Sequence, residues 1–321
     1  VLLPLPVLEI QNRMIAFTSK QVRPGELLTL SHTDEPLAGS FNLQMAISAT
    51  PLAELKTAIE YLIRYPNGCV EQTTSTAYPL MVIPNLLPAI GISVDKEQLE
   101  EYRVAGIKRI LSCQTSQGGL SYWPGGESPH AFGTAFGLSV LIEAHKQGYD
   151  IVKKEDLDYA ADYLENLLRK SDISSNMNSQ RAADADTLAL FVMTLSRLGR
   201  PQQSHVQALW NNRSQLSPFG LALLAVAVKE GNIRAVPFET ILAEIRKGLT
   251  IDENMASLEY QSQSGWSFGS STRSLAAVLM AYSLSDDEPM KDKLLAGLLA
   301  ARRNGRWGNT QENVYAIMAL H

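Results

Sequence analysis

From residue 51 to residue 320, segments with helical spacing of apolar residues alternate between two kinds. Segments of the first kind, at about 51–64, 97–113, 154–170, 201–213, 237–248 and 288–302, carry Lys, Glu and Arg on one face. Those of the second kind, at about 72–88, 131–147, 184–198, 217–229, 272–284 and 310–320, are apolar nearly all round, as in Thr187-Leu188-Ala189-Leu190-Phe191-Val192-Met193. A helix apolar on every side is a buried one, whereas a helix with a polar stripe lies at the surface. Six pairs of this kind fit two concentric rings, with outer helices around an inner barrel. The expected fold class is therefore all-α, an α/α toroid of six helical hairpins (an α6/α6 barrel).

The loops support the repetition. Gly118-Gly119-Leu120-Ser121-Tyr122-Trp123 precedes the second inner segment, Gly265-Trp266 the fifth and Gly305-Arg306-Trp307-Gly308 the sixth. Glycine allows a sharp turn, and each tryptophan is expected to wedge between neighbouring hairpins. In such a ring the inner helices run in one direction, so their N-termini gather on one face.

Residues 1–48 are different. Val7 to Phe17, Glu26 to Leu30 after Pro24-Gly25, and Phe41 to Ile47 have the alternation of strands. Three strands cannot close a sandwich, so residues 1–48 are expected to be a partial β segment of an adjoining domain, and residues 49–321 the toroid. The start, Val1-Leu2-Leu3-Pro4-Leu5-Pro6, has no initiator Met and no secretory pattern, which suggests a piece of a longer protein. The net charge of −5 has no basic stripe to set against phosphate, which argues against nucleic acid as partner. No run of about 18 apolar residues offers a membrane span. Cys69 and Cys113 could pair only if the fold brought them into register. His32, His130, His145, His205 and His321 are scattered over different elements, so no metal is expected.

The chemistry gathers at the start of the first inner helix, Tyr65-Pro66-Asn67-Gly68-Cys69-Val70-Glu71-Gln72-Thr73-Thr74-Ser75. Cys69 follows a Pro-Asn-Gly turn, where free N–H groups and the positive end of the helix dipole suit an anionic sulfur and make it a nucleophile. The Gln72 carbonyl can meet that sulfur only if the backbone between them folds tightly, which Gly68 and Pro66 favour. Attack of sulfur on the amide, with loss of ammonia, would close an internal thioester.

The stretch Gly68-Cys69-Val70-Glu71-Gln72 resembles the Gly-Cys-x-Glu-Gln thioester motif of the α2-macroglobulin and complement family, and the eleven residues from Tyr65 to Ser75 are most similar to its bacterial members. Ile92-Ser93, the Gln114 to Gly119 loop and Trp307-Gly308-Asn309-Thr310-Gln311-Glu312-Asn313 extend the resemblance over residues 50–321. It implies a toroidal thioester domain within a broad-spectrum protease inhibitor of bacterial defence. After a protease cuts a bait region elsewhere in the parent chain, the Gln72 carbonyl would acylate a lysine amine of that protease and Cys69 would leave as a thiolate. Such a trap works once and is not an enzyme. It needs no cofactor beyond the Cys69–Gln72 bond, and its partners are target proteases and the other domains of its own chain. The relatives act in the periplasm, often as membrane-anchored lipoproteins. In some complement relatives a histidine attacks the thioester, but residues 171–186, where its counterpart is expected, contain none.

Among supporting residues, Gly68, Pro66 and Asn67 shape the turn, and Glu71 is expected to orient it or to bond to backbone N–H groups rather than donate a proton. A thioester survives only if kept dry, so Tyr65, Tyr122 and Trp123 are candidates for aromatic cover beside their ordinary packing role. His130, at the start of the second inner helix, either polarises the site or is structural. Two other readings remain: a docking module without the thioester, and a terpene cyclase, whose Asp-x-Asp-Asp acid motif is approached by Asp184-Ala185-Asp186-Thr187 but lacks its last carboxylate. Capping of the third inner helix accounts for those aspartates more simply.

Overall fold

The computed structural model describes residues 25–27, 29, 56–63, 66–82, 84, 95–171, 184–259, 269–303 and 305–320. The expected β segment at 1–48 lies outside them apart from Gly25, Glu26, Leu27 and Thr29, as do Tyr65 and the Trp266 loop.

Twelve α-helices fall among the described residues, each within one of the expected segments or displaced by a few residues. The amphipathic ones are α1 (Lys56–Leu62), α3 (Lys96–Leu111), α5 (Lys154–Lys170), α7 (Gln203–Asn211), α9 (Phe238–Lys247) and α11 (Glu288–Ala300). The apolar ones are α2 (Val70–Val82), α4 (Ala131–Lys146), α6 (Ala185–Arg197), α8 (Pro218–Glu230), α10 (Ser271–Tyr282) and α12 (Thr310–Leu320). α2 starts two residues earlier than its periodicity suggests, which brings Gln72 inside the helix. A short antiparallel hairpin, β1 (Thr250–Ile251) with β2 (Ala256–Ser257), joins α9 to α10.

The apolar helices close a ring. α2 packs on α4, α4 on α6, α6 on α8, α8 on α10 and α10 on α12, and α12 returns to α2. α3 sits against both α2 and α4, α5 against α4 and α6, α9 against α8 and α10, and α1 against α12 and α2. This arrangement follows from the burial demand: ten of the thirteen residues of α8 are buried, against three of the ten in α9.

The barrel is plugged. Phe136 of α4, Phe219 of α8 and Tyr315 of α12 come from alternate helices of the ring, yet Tyr315 stacks on Phe136 with centroids 6.1 Å apart and meets Phe219 edge-on at 5.1 Å. Side chains of non-adjacent inner helices meet this way only at the axis. The buried Arg273 of α10 lies over the Phe219 ring at 3.9 Å, a desolvated cation–π contact. Burial pushes the Tyr315 phenol up to about 12. Each fully buried aromatic ring stabilises the fold by roughly 2–3 kcal/mol, so this plug holds the ring together from inside.

Trp307 behaves as the loop pattern predicts. It is fully buried, its indole N–H donates to Leu298 O at 2.8 Å, and its backbone exchanges hydrogen bonds with the Asn313 side chain. Trp123 does not: it is 57% exposed, so it is no wedge between hairpins. In its loop the close packing comes from the glycines. A Cβ on Gly118 would fall 2.3 Å from Tyr159 O, and one on Gly119 would fall 2.6 Å from the Tyr163 ring.

Candidate functional site

The turn before α2 has the form of a helix capping box. Cys69 occupies the N-cap position, since Val70 is the first helical residue, and its carbonyl accepts the Thr73 N–H at 2.9 Å. Gln72 is then the third helical residue, and its side-chain Oε1 accepts the Cys69 backbone N–H at 3.3 Å. In an ordinary capping box a serine or threonine stands at the N-cap, and its side chain and that of the third helical residue lie together across the first turn. Here the N-cap side chain is a thiol, and the Gln72 carboxamide bonds back to the backbone of that same residue. Helix initiation thus joins Cys69 and Gln72 in one turn.

Two features shape this turn. Gly68 has φ +96°, a region unfavourable to side chains, and a Cβ there would lie 2.1 Å from Gln72 Oε1. From α3, Arg109 donates through Nε and Nη2 to the Gly68 carbonyl at 3.1 and 2.7 Å. That two-pronged, charge-assisted grip fixes the peptide whose far side faces Gln72. Pro66 is buried close to Gly106 of α3, whereas Asn67 is exposed.

The sulfur and the amide differ in exposure. Cys69 is 3% exposed, while Gln72 is exposed. Tyr122 is tied to the same turn, where its carbonyl accepts the Val70 N–H at 2.9 Å. Interaction with Cys69, with burial second, pushes the Tyr122 phenol up to about 12. No disulfide joins Cys69 to Cys113, and burial pushes the Cys113 thiol up to about 11, with Arg109 opposing the rise and Cys69 adding to it.

Glu71 departs from one of the two roles expected of it, bonding to backbone N–H groups. Its carboxylate bonds to no backbone N–H among the described residues; Oε1 accepts from Ser75 Oγ (2.9 Å), Thr310 Oγ1 (2.9 Å) and Gln311 Nε2 (2.7 Å). Glu71 is buried, and these bonds tie the first inner helix to the last. The middle of the motif thus clasps the ring where it closes.

His130 is the N-cap of α4, with Nδ1 accepting the Gly133 N–H at 3.0 Å, and burial lowers its pKa. Its ring lies 5.0 Å from that of Tyr122. Trp123 meets Tyr122 edge-on at 5.9 Å and is largely exposed, so it gives little cover by itself. The aspartates divide their work: Asp184 caps α6 through the Thr187 N–H at 2.8 Å, whereas Asp186 reaches across to the start of α8 and accepts from the Ser217 N–H at 2.9 Å and from the Ser217 hydroxyl. Only one of the two therefore caps α6, and both are engaged as helix-end acceptors.

Sequence reasoning passed over Arg109 and named Thr310 and Gln311 only within the stretch that carries the resemblance, without a role at the site. Arg109 sits on the polar side of an amphipathic helix with nothing to distinguish it from its neighbours, and Gln311 is 240 residues from Glu71.

Residues 42–173 match the family model of the A-macroglobulin TED domain. The alpha-2-macroglobulin of Escherichia coli (strain K12) is 26% identical over 285 residues, covering 86% of this chain and 16% of that protein. Among solved structures, the chain is similar to Salmonella alpha-2-macroglobulin reacted with methylamine, with TM-score 0.69 and 26% identity over 83% of this chain and 17% of that one. It is also similar to Escherichia coli alpha-2-macroglobulin activated by porcine elastase, with TM-score 0.69 and 25% identity over 84% of this chain and 24% of the other. The chain spans about one-sixth of the length of the curated relatives it matches. With the closed helical ring and the Gly68-Cys69-Val70-Glu71-Gln72 turn at its first inner helix, these matches make the chain similar to the thioester domains of bacterial alpha-2-macroglobulins.

Proposed function

We propose that the chain is the reactive domain of a bacterial protease trap, in which Cys69 and Gln72 are joined as an internal thioester that acylates an attacking protease once. The observation that carries this reading is the capping-box geometry, with Gln72 Oε1 on the Cys69 N–H at 3.3 Å and Gly68 leaving no side chain in between. The Gln72 carboxamide stands for the acyl group before ammonia leaves. Once the bond exists, an amine that attacks the Gln72 carbonyl carbon displaces the sulfur and becomes covalently attached.

The exposures of the two residues suit this task. The acyl carbon belongs to an exposed side chain that a lysine of the target can approach, while the sulfur is buried. The remaining water exclusion at Gln72 would come from other domains of the parent chain, released when a bait region is cut. Of the solved relatives, one was reacted with methylamine and one was activated by porcine elastase, which supports the same chemistry here. The parent is proposed to act in the periplasm, anchored as a lipoprotein, as part of bacterial defence.

Intact-protein mass spectrometry tests the reading. An untreated mass about 17 Da below the sequence mass marks the loss of ammonia on thioester formation. Methylamine should then add to Gln72 and release one new thiol at Cys69. A full sequence mass, with two thiols free from the outset and no methylamine adduct, would rule the reactive bond out.

A further inference from the structure

One peptide group of the turn is held at both ends. The Gly68 carbonyl accepts from Arg109 Nε and Nη2 at 3.1 and 2.7 Å, and the N–H of the same peptide, that of Cys69, donates to Gln72 Oε1 at 3.3 Å. The Cys69 N–H has no other acceptor among the described residues. Gln72 Oε1 lies where a side chain at position 68 would be, 2.1 Å from the place of its Cβ, so only glycine lets the oxygen come this close to the peptide. When sulfur displaces ammonia, the carboxamide loses its nitrogen and keeps this oxygen. The atom that the Cys69 N–H holds is therefore the acyl oxygen of the thioester.

We propose that the backbone N–H of Cys69 is the oxyanion donor of the acyl transfer and that Arg109 is a positioning residue acting on it through the peptide, an assignment that rests on the thioester reading above. An amine nitrogen attacks the Gln72 carbonyl carbon and forms the new C–N bond, while the carbonyl π pair moves onto Oε1. The C=O bond then re-forms, the C–S bond breaks with its electron pair on Cys69 Sγ, and the amine sheds a proton to water. Oε1 carries nearly a full charge only in the tetrahedral intermediate. A donor 3.3 Å from the uncharged oxygen has room to close to the spacing of about 2.7–3.1 Å that suits an oxyanion. A bond that tightens on the way to the transition state raises the rate, whereas one equally tight in the ground state does not. Cys69 also stands at the positive end of the α2 dipole, which favours the same charge. Arg109 acts from the far end of the peptide. Its charge-assisted bonds to the Gly68 carbonyl fix the plane of the group, and by drawing electron density toward that carbonyl they make the Cys69 N–H a better donor.

Removing this donor takes a change to the backbone. Translating the 321-residue chain with the α-hydroxy analogue of cysteine at position 69 turns the Gly68–Cys69 amide into an ester, which keeps the sulfur and every side chain and deletes the N–H. Per molecule that shows the ammonia loss, the ester chain should react with methylamine about tenfold or more slowly than the natural chain. Losing one donor from an enclosed oxyanion hole costs roughly 10²–10³ in rate, and water replaces part of it at the exposed Gln72. Equal methylamine rates in the two chains would overturn the proposal. Because a loosened turn also admits water, Arg109 is followed by the infrared stretch of the thioester carbonyl, isolated by carbon-13 labelling of glutamine, and not by a rate. The stretch should rise in frequency from the natural chain to Arg109→Lys to Arg109→Met as the donor weakens, and a band at the natural frequency in Arg109→Met would overturn the part given to Arg109. If the ester chain fails to fold or shows no ammonia loss, the Arg109 series decides alone, and an unmoved band in both variants would overturn the whole proposal. Absence of the ammonia loss from the natural chain itself would overturn the underlying thioester reading, whereas its presence with equal methylamine rates would sink the oxyanion donor alone.

Discussion

The backbone N–H of Cys69 donates to Oε1 of Gln72 across 3.3 Å, so the two residues of the proposed thioester already form one half of a helix capping box. The other half of such a box is a contact from the N-cap side chain, here a sulfur. Stability of the helix start and reactivity of the site are therefore coupled, and substitutions around the turn should affect both.

Gly68 is the sharpest case. An alanine there would have to hold φ +96° and place its Cβ 2.1 Å from Gln72 Oε1. Gly68→Ala should destabilise the chain by roughly 1–3 kcal/mol and expel the carboxamide from the turn. Intact mass should show almost none of the ammonia loss. A variant that retained it in full would mean that the turn can relax around a methyl group.

Arg109 should govern how long the thioester lasts. Replacing it with methionine leaves the Gly68 carbonyl without its two donors at 3.1 and 2.7 Å, at a cost of about 1.5–3 kcal/mol. The loosened turn is expected to admit water, so thiol should appear several-fold faster in plain buffer. Arg109→Lys keeps the charge without the fork and should fall between the two. Thiol release at an unaltered rate in Arg109→Met would show that the grip on Gly68 is dispensable.

Glu71 and Gln311 should be energetically coupled although 240 residues separate them. Glu71→Ala is expected to cost about 2–3 kcal/mol, because it strands buried donors on Ser75, Thr310 and Gln311. In a double-mutant cycle with Gln311→Ala, denaturant unfolding should give a coupling of roughly 1 kcal/mol. Strict additivity would argue against a clasp between α2 and α12.

His130 gives the fold a pH dependence of known sign. Burial lowers its pKa, and its Nδ1 must be unprotonated to accept the Gly133 N–H. The unfolded chain, with an ordinary histidine near 6.5, binds its proton first as pH falls. This contribution to stability is thus complete above about pH 6.5 and is lost as pH drops through the lower, folded value. His130→Asn should retain a cap and flatten that part of the profile, as followed by melting temperature between about pH 5 and 8. The same slope in His130→Asn and in the natural chain would assign it to other groups.

Much of this protein was legible in its residues. The alternation of amphipathic with wholly apolar segments determined twelve helices and which six are inside, because a helix without a polar stripe has to be buried wherever it lies. The local motif likewise placed Cys69 and Gln72 in one turn, since residues three apart at a helix start are brought together by backbone geometry alone. Tertiary structure decided what depends on closing the ring. The bonds from Glu71 to Thr310 and Gln311 exist only because α12 returns to α2, and the hold of Arg109 on Gly68 exists only because α3 lies alongside. Tyr122 and Trp123 are adjacent aromatics with the same sequence prospects, yet packing left one half-buried with its carbonyl on the Val70 N–H and the other 57% exposed. Periodicity records which face of a helix is buried, while the choice of neighbour across that face is made by side chains brought together from distant parts of the chain.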